Sequence, residues 1–187
     1  SSSFTILILV LGIGISLFIY QVASHVQKQF ENNISGIDMV VGAKGSPLQL
    51  ILSAVFQIDT PTGNIPFDDA KKVAASRWVK KTIPLSFGDS YQGIRIVGSD
   101  TSYLGHYSAA LMNGRLWENE MEVVLGSSAA KKLNLQVGDS FLSAHGLATE
   151  GMAHEEHPYQ VTGLLAPSNS VLDNLIITAT ESIWHVH

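Results

Sequence analysis

The sequence predicts an α+β domain hung from a membrane-spanning helix. Three observations carry that reading: an uncharged apolar run at the start, a polar helix with one apolar stripe that continues it, and short β-like runs mixed with capped helices from residue 37 onward. Of the 187 residues 45% are hydrophobic and 14% charged, which supplies a folded core and excludes wholesale disorder.

The run from Phe4 to Tyr20, FTILILVLGIGISLFIY, carries no charge. Continued through Val22 and Ala23 it gives about 20 residues, which at a rise of about 1.5 Å cross the ~30 Å hydrocarbon layer. Gly12 and Gly14 weaken a soluble helix but are tolerated in lipid, where they allow close helix contact. A secretory leader would have a basic start, a shorter apolar run and a small-residue cleavage site. A soluble core helix of this length would be unusual without a polar face. Positive-inside orientation needs both flanks of the span, so charge alone leaves it open. Beyond Ala23, Val22, Val26, Phe30 and Ile34 recur every four residues among polar side chains, with no Pro or Gly before Gly36. This predicts a stalk of about three further helical turns leaving the bilayer without a break.

Ile37 to Val41 reads as a short strand. Ser46 and Pro47 then open a helix from Leu48 to Phe56, with Ser as the cap and Pro at the first turn. The turn cluster Thr60 to Asn64 precedes a surface helix from Phe67 to Trp78, with Asp68 and Asp69 early and Lys71, Lys72 and Arg77 late, as the helix dipole favours. Ile83 to Phe87 and Gly93 to Val97 are expected to pair antiparallel through Gly88-Asp89-Ser90. Tyr103 to Leu116 is weakly patterned, with a turn at Asn113-Gly114. Glu122 to Leu125 is a strand, followed by a short helix through Leu133, a turn from Val137 to Ser140, strands from Tyr159 to Leu165 and Asn174 to Thr178, and a helix from Thr180. The stretch from about 122 to 165 is expected to form a smaller β-rich lobe inserted in the rest, with the domain's two ends close together.

The net charge is −5, and the eleven Lys and Arg fall in ones and twos, the densest pairs being Lys71-Lys72 and Lys80-Lys81. That argues against nucleic-acid binding, which needs clustered cations to displace phosphate counterions. With no cysteine there are no disulfides, thiol nucleophiles or thiolate metal sites. Gly42-Ala43-Lys44-Gly45-Ser46 lacks phosphate-loop spacing and reads as a glycine turn. Ser127-Ser128 lies in no nucleophile elbow, and Asp68-Asp69 and Glu155-Glu156 are adjacent pairs on solvated surface, so no catalytic constellation stands out.

One loop departs from a purely mechanical pattern. His145, Glu150, His154, Glu155, Glu156 and His157 place three imidazoles and three carboxylates within thirteen residues. Such nitrogen and oxygen donors suit Zn²⁺, and His145, His154 and His157 are the candidate ligands. The spacing is not that of a metalloprotease helix, because His154 and His157 stand three apart and Pro158 follows. A solvated polar loop is the plainer reading.

The apolar span and stalk, then Asn33-Ile34-Ser35-Gly36-Ile37-Asp38-Met39-Val40-Val41-Gly42-Ala43-Lys44-Gly45-Ser46-Pro47-Leu48-Gln49-Leu50-Ile51-Leu52-Ser53, and later Ile94-Arg95-Ile96-Val97-Gly98 and Glu122-Val123-Val124-Leu125-Gly126, resemble the MacB/FtsX-like ABC transporter permeases over nearly the whole chain. The resemblance implies a transmembrane helix (1–23), a helical stalk (24–38), a mixed α/β porter-like lobe (39–121 and 166–187, the latter returning towards a second span) and an inserted β-rich lobe (122–165). It implies no catalytic residue and no cofactor in this chain. The expected partners are a cytoplasmic ABC ATPase, a second permease subunit in a homodimer, the bacterial inner membrane, and a lipoprotein, peptide or protein cargo on the periplasmic side. The implied task is mechanotransmission of ATP-driven movement. The alternative is a membrane-tethered metal or ligand sensor, whose second span would lead to a signalling module.

Overall fold

A computed structural model describes residues 2–145 and 158–186, in two units, Ser1–Ser35 and Gly36–His187. The first unit is one helix, α1 (Ser2–Ile34), of 33 residues. It runs through the expected span-to-stalk boundary without interruption, about 50 Å at the α-helical rise. Its best window has a mean hydropathy of 2.5, and its apolar side chains are exposed. Ser16 donates its hydroxyl to Gly12 O at 2.8 Å, which satisfies the polar group inside the helix's own ladder. In the polar half, Gln27 Nε2 donates to Glu31 Oε1 at 2.8 Å across one turn.

The second unit is built on one mixed sheet. Its strands are β1 (Ser86–Tyr91), β2 (Ile94–Ser99), β3 (Leu111–Gly114), β4 (Glu122–Leu125), β5 (Ser140–Phe141), β6 (Ala144–His145), β7 (Tyr159–Leu165) and β8 (Ile176–Ala179). The order is β3-β7-β4-β8-β2-β1-β6, with β5 also on β7. Pairs β2·β8 and β4·β7 are parallel, whereas β1·β2, β1·β6, β3·β7, β4·β8 and β5·β7 are antiparallel. The segment expected as an inserted lobe, 122–165, supplies β4 and β7 to this same sheet. The helices are α2 (Pro47–Ala54), α3 (Phe67–Ala74), α4 (Thr101–His106), α5 (Ser127–Leu133) and α6 (Thr180–Val186), with a 3-10 turn at Val171–Asn174.

Period-two alternation fills both faces of the sheet. Ile94 and Ile96, Val123 and Leu125, and Ile176 point to one side, where Ala129 and Leu133 of α5 and Ile183 of α6 cover them. Val97, Val124 and Ile177 point to the other, against Tyr103 and Leu104 of α4 and Val171 and Leu172 of the 3-10 turn. The fold class read from sequence is the one observed.

Several element boundaries move. Residues 37–41 are not a strand: among the described residues no strand pairs with them, Met39 and Val41 are exposed, and an unpaired run gains nothing from extended propensity. The α3 helix stops at Ala74, short of Trp78. Gly88-Asp89-Ser90 is not the hairpin turn. It lies within β1 at a register break, and the reversal comes at Gln92-Gly93, both with positive φ (47° and 75°), as a tight two-residue hairpin turn demands. Gly114 is a strand residue, not a turn: at φ 77° an added Cβ would strike Thr162 O on β7.

Candidate functional site

Residues 36–85 add Ile83 and Leu85, both half-buried, to the edge of the core under α4, and otherwise lie outside the two core clusters of the sheet. Within this stretch Ser53 and Val55 are buried, while Met39, Val41, Leu48, Ile51, Ile58, Phe67 and Trp78 stand exposed. The α2 helix forms because Ser46 caps it and Pro47 occupies its first turn, with Ser46 Oγ accepting from Gln49 N. The loops on either side close on each other: Thr62 Oγ1 donates to Ala43 O at 2.8 Å, and Gln49 Nε2 donates to Thr60 O at 3.2 Å. A Cβ at Gly45 would meet the Thr62 side chain, so the glycine turn is required by close packing.

This layer is fastened to the sheet by a polar seam. Arg95, a charged residue in the middle of the buried strand β2, donates through Nη2 to Asp59 O at 2.7 Å and through Nη1 to Gln57 Oε1 at 3.5 Å. Gln57, held at a positive φ of 60°, donates Nε2 to Ala54 O at 2.9 Å and to Tyr103 Oη at 3.4 Å. Burial pulls the Arg95 guanidinium below its ordinary pKa, an effect opposed by Asp59, yet it stays cationic at neutral pH. Burial drives the Tyr103 hydroxyl well above its ordinary range and Tyr107 up to about 12.

A second fastening holds the loop between β3 and β4. Glu122, 7% exposed, accepts Arg115 Nη1 and Nη2 at 2.7 and 2.6 Å, Glu118 N at 2.8 Å, and Asn119 N and Nδ2 at 3.2 and 3.1 Å. Arg115 first, then the two amides and Asn119, hold the Glu122 carboxyl far below the usual carboxylate range against its burial. The loop before the 3-10 turn is set the same way: Asp173 accepts Ser168 N at 2.9 Å and Asn169 N at 2.8 Å. A Cβ on Gly126 would collide with the backbone of Leu172 and Asp173, so this turn tolerates only glycine.

Of the three candidate metal ligands, His145 has its backbone in β6, opposite Asp89 of β1. His154 and His157 lie outside the described residues. Among the described residues no group of three or more His, Asp or Glu is close enough to hold a metal ion. Sequence reasoning missed both fastenings. A signal existed for one of them, since a lone Arg inside Ile94-Arg95-Ile96-Val97 breaks the apolar alternation. Glu122 gave none, because an acidic residue opening a strand is ordinary.

No curated protein matches the chain's sequence. Solved structures similar to the chain include the following two. The periplasmic region of MacB from Actinobacillus actinomycetemcomitans aligns at a TM-score of 0.51 and 18% identity, covering 84% of this chain and 72% of that one. The extracellular domain of the noncanonic ABC-type transporter YknZ from Gram-positive bacteria aligns at 0.45 and 12% identity, covering 65% of each. At 18% identity the likeness to the MacB region speaks for fold alone. The family model of the MacB-like periplasmic core domain matches residues 2–185, almost the full chain. The chain therefore belongs to the MacB-like periplasmic core domain family of ABC transporter permeases.

Proposed function

We propose that this chain transmits movement across the inner membrane, from a cytoplasmic ABC ATPase to a lipoprotein, peptide or protein on the periplasmic side, and works paired with a second permease subunit. ATP is hydrolysed by the ATPase, and this chain's contribution is mechanical. The observation that carries the reading is α1, which continues as a single helix from its apolar half into its polar half over 33 residues. A helix with an unbroken hydrogen-bond ladder carries axial displacement and torque, whereas a flexible tether would dissipate them. In this reading residues 39–121 and 166–187 make up the porter-like lobe and 122–165 the β-rich insertion, whose strands β4 and β7 share the same sheet.

Placing a proline at Gln29, in the polar half of α1, removes one ladder bond and clashes with the preceding turn, at a cost of about 3 kcal/mol and a kink. In the assembled transporter, Gln29→Pro is expected to abolish cargo-stimulated ATPase activity, while Gln29→Ala retains it. Stimulation unchanged in the proline variant would reject mechanical coupling through α1.

A further inference from the structure

Five of the eleven Lys and Arg in the chain fall within residues 71–81: Lys71, Lys72, Arg77, Lys80 and Lys81. The only acidic residues between Phe67 and Lys81 are Asp68 and Asp69, so this stretch is locally cationic in a chain of net charge −5. Those two carboxylates pair with Lys71 at 3.7 Å and Lys72 at 2.8 Å. No acidic side chain pairs with Arg77, Lys80 or Lys81 among the described residues, and Lys81 Nζ donates to the backbone Ser102 O at 3.2 Å.

The same stretch carries exposed aromatic surface. The α3 helix buries no residue, and Trp78 is 81% exposed with the Arg77 guanidinium 4.6 Å from its ring centre. Phe67 is also exposed, with Lys71 Nζ 4.2 Å from its ring centre and the Trp184 ring edge-on at 5.0 Å. Exposed Trp and Phe beside cations with no acidic partner match a bilayer interface, where aromatic rings settle at headgroup depth and Lys and Arg meet lipid phosphate. A nucleic acid would need a longer run of cations, and a purely apolar protein partner would leave three of them without counter-charge.

We propose that the surface from Phe67 to Lys81 docks on an anionic bilayer surface, with Trp78 inserted at headgroup depth and Arg77, Lys80 and Lys81 on lipid phosphates. The proposal rests on the membrane anchoring of the chain by α1, and its test keeps the two apart. Each cation near an anionic surface strengthens the contact by roughly fivefold, and the attraction fades within a Debye length, so added salt weakens it.

The full chain, with Trp117→Phe and Trp184→Phe leaving Trp78 as its emitter, is reconstituted into vesicles of phosphatidylcholine alone or with phosphatidylglycerol. Part of the lipid is brominated near the headgroup. Flotation reports anchoring, and bromine quenching of Trp78 reports docking. Quenching is expected in the phosphatidylglycerol vesicles, falling to the phosphatidylcholine level in high salt and in the Arg77→Gln/Lys80→Gln/Lys81→Gln variant, whose circular dichroism is unchanged. Flotation with equal quenching in both lipids, or with quenching unaltered in the triple variant, overturns the docking proposal and leaves anchoring intact. Loss of flotation and quenching together overturns both. A photocrosslinker at position 78 that captures a second copy of the chain rather than lipid assigns the surface to a protein contact and also overturns docking.

Discussion

Residues 36–85 and residues 86–186 have nearly the same proportion of apolar side chains and differ in what they do with them. In the later region Ile96, Val123, Leu125, Ile176 and Ile177 are withdrawn from solvent, each with neighbours on both flanking strands. The earlier region fully buries only Val55 among its large apolar residues, half-buries others such as Leu50, Leu52 and Phe56, leaves seven exposed, and is tied to the sheet through Arg95, Gln57 and Tyr103. Burial of apolar area is what stabilises a fold, so the sheet holds itself together, whereas residues 36–85 depend on half-buried contacts and a few hydrogen bonds. A self-sufficient core beside an unsatisfied layer is what a domain needs if it must keep its shape while one surface changes partners.

The comparison breaks most readily on matched truncations. Leu172, 0% exposed beneath the sheet, should lose about 2–5 kcal/mol of unfolding free energy as Leu172→Ala. Ile58, 69% exposed, should change stability by less than about 0.5 kcal/mol as Ile58→Ala. Urea midpoints at constant slope decide it. Equal losses would mean that residues 36–85 share the core, and the division between the two regions would fail.

Glu122→Gln comes next. It leaves the shape of the side chain but removes the charge that Arg115 and two backbone amides address, and should destabilise the domain by about 1–3 kcal/mol. The pH dependence has a definite sign. Since the folded-state pKa of Glu122 is depressed, its contribution is complete above the unfolded value of about 4.3 and is lost as pH falls below that towards the folded pKa. The wild-type chain should therefore show an acid-side loss of stability that Glu122→Gln lacks. Parallel curves for the two proteins below about pH 4.3 would show that the carboxylate is not held as the geometry indicates.

How much of this was legible beforehand follows the same division. Glu122 to Leu125 and Tyr159 to Leu165 announce themselves as strands because their apolar or alternating runs are satisfied by the sheet that forms. The Ser46-Pro47 start of α2 is legible for a local reason, since capping involves neighbours three residues apart. Ile37 to Val41 misleads because its β-like composition meets no partner strand, a fact set by the fold as a whole. The Arg95 seam spans 36 residues between donor and acceptor, and hydrogen bonds of that reach leave no local pattern. For the histidine loop, composition was the only signal, and composition does not fix where a ligand points.

The smallest expected effect tests the seam itself. Arg95→Met preserves the length of the side chain in β2 but removes the donors to Asp59 O and Gln57 Oε1, groups near enough to solvent to find water instead. A global loss of about 1 kcal/mol is expected, with most of the change local. Amides of residues 54–60 should exchange hydrogen faster, because the layer opens without the sheet, while amides of β4, β7 and β8 keep their protection. If protection fell equally in β4 and in residues 54–60, the layer and the sheet would open as one cooperative unit. The seam would then be part of the core, and the division between residues 36–85 and the sheet would fail.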